Sequence, residues 1–126
     1  MSKDKELYTT PLAEHDFQVF LNDRLANIVQ VLGVKAKEYC RNGDRFHNFN
    51  QAAITENKTR EECIHGMFLK HYISYKDMIE DIKNDKLPSV EYVNEKFGDI
   101  INYMILMEIG IKQQIDTAEE VLIKYE

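Results

Sequence analysis

Apolar positions along the chain fall into three long runs, each with the spacing of a helix rather than a strand. Phe17, Leu21, Leu25, Ile28, Leu32, Ala36 and Tyr39 recur every three or four residues, which predicts a helix from about residue 13 to 41. Gly33 sits inside it and marks either a close helix approach or a slight bend. The second run, Ile64, Phe68, His71, Tyr75, Met78, Ile79 and Ile82, follows a capping box of Thr59 and Glu62 and ends near Lys83. The third is capped by Ser89 and extends to Lys112. Thr117 with Glu120 predicts a last short helix whose Val121, Leu122 and Tyr125 dock back on the others. Nothing alternates with a period of two, so the predicted class is all-α: three main helices and short ones, in one domain from 12 to 126 behind a flexible tail, 1–11.

The third run contains a conflict. From Ile100 to Ile111 it is apolar on nearly every side, which predicts burial among other helices. It is too short for a bilayer, and Asp99, Asn102 and Glu108 interrupt it. Two amphipathic helices do not cover such a surface, so a homodimer or higher homo-oligomer is expected. Yet Glu91, Glu95, Asp99 and Asn102 share one stripe of the same helix. Carboxylates leading into a buried element are costly unless paired, hydrogen-bonded or bound to metal.

Between Asn42 and Lys58 the helical period fails. Asn42-Gly43-Asp44 is a turn signal, and Arg45-Phe46-His47-Asn48-Phe49-Asn50 follows it in a connection longer than helix pairs usually need. Its cation, amides and rings suit a base or a phosphate; alternatively Phe46 and Phe49 plug the end of the bundle while the polar residues cap helices. His71 lies on the apolar side of the second helix, where it is either a core residue or a ligand group, beside the polar stripe Lys70, Ser74, Asp77 and Asp81.

Composition narrows the partners. The formal charge of −6 argues against long nucleic acid, whose phosphates call for a basic face, but leaves room for a single nucleotide held by a few local cations. Cys40 and Cys63 lack paired spacing and read as reduced thiols, and no basic-then-apolar leader opens the sequence, so a cytoplasmic location without membrane association is expected.

Three segments, KEYCRNGDRFHNFNQAA, FLKHYISYKDMIED and EKFGDIINYMIL, together resemble the phage-associated nucleotide modification associated domain over about residues 35–112. More distantly, EKFGDIINYMILME is similar to the acidic core-helix motif of the all-α nucleotide pyrophosphohydrolases, the MazG and dUTPase-like group. The resemblance implies an all-α bundle, often oligomeric, that handles nucleotides. In those hydrolases magnesium is held by an E-x-x-E pair on one core helix and an E-x-x-D pair on the next. Asp99 matches the final aspartate, but Lys96 stands where the preceding glutamate belongs, with Glu95 beside it. The second helix carries Lys70, His71 and Ser74 where the other pair would stand.

Three readings follow. In the first, the protein binds a nucleotide or nucleotide-derived small molecule through Asp44, Arg45, His47, Asn48, Lys70, His71, Lys96 and Asn102, with the cations on phosphate. In the second, Glu95 and Asp99, with Asp77 as a further candidate, act as catalytic metal ligands, with magnesium the expected ion, in a pyrophosphohydrolase. In the third, the charges pair within the bundle and the protein is a non-catalytic helical interaction partner.

Overall fold

The computed structural model describes residues 9–34 and 40–125. The architecture is all-α. Helix α1 spans Glu14–Ile28 and runs into a π-helical segment, Val29–Val34; α2 spans His47–Glu56, α3 Arg60–Lys83 and α4 Val90–Tyr125. No helix among the described residues is long and apolar enough to cross a membrane.

The fold is built on the α3–α4 hairpin, the most extensive helix pair in the chain. Thr59 starts α3 with a reciprocal capping box: its hydroxyl accepts from Glu62 N–H while the Glu62 carboxylate accepts from the Thr59 backbone. Ser89 Oγ accepts from Tyr92 N–H at 3.1 Å and opens α4. Between them Asp85 takes a positive φ of 61° in the tight turn. Ile64 and Met78 are buried in the seam, and His71, Tyr75 and Ile82 lie half-buried along it. Ile79, expected on that face, is half exposed.

Arg60 joins three elements at the far end of the hairpin. Its guanidinium donates to the Gly110 carbonyl at 2.9 Å and to Gln113 Oε1 at 2.8 Å, and it covers the Phe46 ring at 4.3 Å. Phe46 is thereby buried, and α2 is held against α3.

The turn at 42–44 is present. Asn42 and Gly43 both have positive φ, and Arg41 and Asp44 bridge across them, as in a two-residue type I′ turn. The irregular connection expected up to Lys58 is not found, because α2 occupies most of it. Asp44 Oδ1 accepts the Phe46 N–H at 2.8 Å, and Asn50 N–H donates to the Phe46 carbonyl, so the helix is launched directly from the turn. Phe46, Phe49, Ala52 and Ala53 face inward at helical spacing, a period too short to stand out in the sequence.

Three other boundaries differ from expectation. The first helix departs from α geometry at Val29, and Cys40 and Arg41 are not helical; Ala36, Tyr39 and residues 1–8 of the expected tail lie outside the described residues. Gly33 falls in the π-helical turn, where an added Cβ would meet only Val29 at ordinary contact distance, so it is not a close-approach glycine. Finally, α4 does not stop at Lys112. No glycine or proline follows Gly110, and the helix continues through Thr117 without a break. Val121 and Leu122 are consequently exposed rather than docked back; the Tyr125 side chain is outside the described set.

The apolar run at 100–111 is not buried all round. Met104, Ile109 and Ile111 are 44–48% exposed, whereas Asn102 is the most enclosed polar residue at 8%. Helix α1 buries none of its side chains, and Phe20 is 67% exposed. Its contact with α4 is polar: Arg24 donates to Asn27 Oδ1 at 2.9 Å and to the Asn94 carbonyl at 3.2 Å, above Gly98. A Cβ on Gly98 would lie 3.0 Å from the Arg24 guanidinium, so a larger residue there would make the tip of Arg24 shift.

Candidate functional site

A cleft of about 670 Å³ opens between the π-helical segment, α2, α3 and α4. Its size is that of a small-molecule site. Each element supplies one wall: Leu32 from the π-helical turn, Phe49 from α2, Lys70 from α3, and Asp99 and Asn102 from α4. Four of these walls meet here because the α3–α4 hairpin forms the floor and Arg60 fixes α2 across it. The π-helical wall is fastened by Arg45, which donates to the Leu32 carbonyl at 2.7 Å and the Gly33 carbonyl at 3.1 Å.

The residues singled out in the sequence divide into three groups. Arg45, Asn48, Lys70, Asp99 and Asn102 all line the cleft. His71 stands directly behind it: its Nδ1 lies 3.5 Å from Asp99 Oδ2, and its ring stacks on Tyr103 with centroids 5.4 Å apart. The remaining residues stand outside. Asp44 stands in the turn before α2, where its carboxylate accepts from the Phe46 N–H and from Asn50 Nδ2 at 3.2 Å. His47 is the first residue of that helix and does not reach the cleft wall. Lys96 lies 5.4 Å from the Tyr92 ring and 3.9 Å from the Glu95 carboxylate. Glu95 is mostly exposed and does not share the Asp99 setting. Among the described residues, no group of three or more histidine, cysteine, aspartate or glutamate side chains is arranged to hold a metal ion.

Several cleft charges already have partners. Arg45 serves the two carbonyls, Lys58 pairs with Glu56 at 3.5 Å, and Glu62 belongs to the capping box, whereas Asp99 approaches His71 Nδ1 at 3.5 Å and leaves that nitrogen buried without a hydrogen bond. Lys70 has no ion pair among the described residues. Asn102 is the sharpest feature: its Oδ1 is buried without a hydrogen-bond partner. Leaving a buried acceptor unmatched costs about 1–3 kcal/mol.

Phe49 and Tyr103 complete the site. They meet edge to face at 6.5 Å and present aromatic surface to the cleft. Burial, and secondarily the negative charge of Asp99, push the Tyr103 hydroxyl above the ordinary tyrosine range. Tyr103 therefore stays a neutral donor at physiological pH. In the sequence it reads as one more apolar position of the third run. The available signal was its place directly after Asn102 and four residues past Asp99.

Comparisons with protein-family models, with curated proteins and with solved structures gave no match.

Proposed function

We propose that the cleft binds a nucleotide or a nucleotide-derived small molecule. The observation that carries this reading is the unmatched Asn102 Oδ1 in the wall of a cleft that also holds an unpaired lysine and two aromatic rings. A buried acceptor without a donor is uncompensated in the free protein; with the Asn102 amide turned toward the cleft, the exocyclic amine or ring N–H of a base supplies what it lacks. Phe49 and Tyr103 offer a planar ring an apolar wall. Lys70 is the cation available for a phosphate, and Asn48 is the second amide at the rim. The alternative, a metal-dependent pyrophosphohydrolase, rests on Glu95 and Asp99, and these carboxylates are directed to different partners, Lys96 and His71.

The test is a thermal-shift screen of nucleoside mono-, di- and triphosphates and cyclic dinucleotides, with and without magnesium. Ligand at a hundred times its dissociation constant stabilises by about 2.7 kcal/mol. Lys70→Met and Asn102→Leu should abolish the shift. Asn102→Leu should itself keep or raise the melting temperature, because it removes the unmatched acceptor. A screen in which no compound shifts the wild type refutes the proposal.

A further inference from the structure

Helix α4 carries a second pattern on the side away from the cleft. Val90, Phe97, Met104, Ile111 and Ala118 recur every seven residues over five layers, and Ile101, Ile115 and Leu122 fall four residues after the second, fourth and fifth. Met104 is two residues from both Asn102 and Leu106, so it stands about 160–200° around the helix from those cleft residues. An uninterrupted seven-residue period is the mark of a helix–helix seam, because a straight helix drifts only about 20° per heptad from it. Asn94 and Glu108 are the two polar residues on the stripe; the Asn94 carbonyl accepts from Arg24, and the Glu108 carboxylate is engaged by Lys112 one turn on.

Nothing among the described residues covers this seam fully. Met104 and Ile111 are about half exposed, as are Val90 and Ile115 or more so. Helix α3 ends its contact near Gln113, the partner of Arg60 at its first residue. Beyond that point α4 continues for about 18 Å with no helix among the described residues beside it, and Ile123 is 75% exposed. On α3 the apolar face continues sideways as a ladder of rings: Phe68 stacks on Tyr72 at 5.9 Å, Tyr72 on Tyr75 at 6.0 Å, and Tyr75 meets Phe97 of the seam at 5.8 Å.

The area indicates what covers it. A folded monomer of 14.9 kDa exposes about 7,000 Å² by the size scaling of globular proteins, while this chain exposes 9959 Å²; the excess of about 3,000 Å² is shared among α1, α2, α3 and α4, with the α4 stripe as one part of it. A stable pairing of two proteins needs about 800 Å² from each partner. We infer that a second copy of this chain packs on the α4 seam, so that two α3–α4 hairpins form a four-helix bundle with a cleft on each outer side. The seam suits an isologous contact: one largely apolar stripe, polar only at Asn94 and Glu108, meeting itself.

The test uses the full chain in sedimentation equilibrium and light scattering. The wild type should have twice the mass of 14.9 kDa at about 10 µM, and its melting temperature should rise with protein concentration. Met104→Glu and Ile111→Glu should lower the mass to that of one chain. Ile109→Glu, equally exposed on the same helix but off the stripe, should leave the dimer intact. A wild type of single-chain mass with a concentration-independent melting temperature overturns the inference and leaves the face to another partner. So does a dimer that both seam variants leave intact, or one that Ile109→Glu dissociates equally. Should the charged variants fail to fold, hydrogen exchange of the wild type at low and high concentration decides. Protection gained along residues 97–118 supports the seam, and protection gained elsewhere overturns it.

Discussion

Replacing Arg60 by methionine should remove a large share of the stability of the isolated fold. The substitution keeps most of the apolar stem and deletes the guanidinium, which is nearly enclosed at 10% side-chain exposure. Four contacts are lost at once: the bond to the Gly110 carbonyl, the bond to Gln113 Oε1, the stack over Phe46 and the longer ion pair with Glu61 at 3.3 Å. Hydrogen bonds from a charged donor contribute about 1.5–3 kcal/mol each, and a desolvated cation–π contact about 1–2 kcal/mol. Against this, the Arg60 Nε–H is buried with no acceptor, and removing it recovers part of the loss. The expected net is about 3–4 kcal/mol, in a domain whose total is on the order of 5–15 kcal/mol. Urea unfolding followed by circular dichroism measures it directly, as a midpoint lowered by roughly 2 M at a slope near 1.5–2 kcal/mol/M. Arg60→Lys should recover only a minor part, since an ammonium cannot fork to the carbonyl and the amide together. A loss under about 1 kcal/mol would show that α2 and the distal hairpin are not held through this side chain.

Other outcomes follow from the same contacts. Thr59→Ala removes the cap of α3 and should cost about 1 kcal/mol in the same urea assay. Glu62 is held below the ordinary glutamate range by the Thr59 backbone and hydroxyl, so its contribution is present above that range and is lost as pH falls through the depressed value. Glu62→Gln should flatten the acid limb of stability against pH. Tyr103 is raised, so its contribution is intact below about pH 10 and is lost as pH rises through the raised value; Tyr103→Phe should flatten the alkaline limb. Gly98→Ala should push Arg24 off the Asn94 carbonyl, and hydrogen exchange should then quicken in α1 while α3 and α4 keep their protection.

The helices that were legible are those whose ends carry chemistry. Thr59 with Glu62, and Ser89, announce their caps by residue type alone, and Ile64, Met78 and His71 fall on the inner side that their spacing predicts. Helix α2 was hidden because ten residues give fewer than three turns, and its start depends on Asp44 reaching forward from a turn. The continuation of α4 was hidden for the opposite reason: Thr117 and Glu120 fit a helix interior as well as a beginning. The cleft was half legible. Arg45, Asn48, Lys70, Asp99 and Asn102 lie in three separate segments that the fold brings together. Lys96 and Glu95 could not be separated from them by helical phase alone, because the direction of each side chain is set by Tyr92 and solvent rather than by sequence spacing.

The π-helical turn at Val29–Val34 sets the rotational phase of everything before it. A wider turn takes up one extra residue inside an otherwise continuous helix, and one residue corresponds to about 100° of rotation. Arg45 clamps the downstream end of that turn by its Leu32 and Gly33 carbonyls, so a change in its width is transmitted upstream as a twist. Deleting a single residue from the segment would restore α geometry and leave the phase of α1 as it is, with Arg24 and Asn27 still over Gly98. Narrowing the turn to α geometry with every residue kept would instead rotate α1 by that angle. Arg24 would swing away from Gly98 and Leu25, one residue on, would take its place. The wide turn thus acts as a gear that absorbs a residue and keeps the polar crossing engaged.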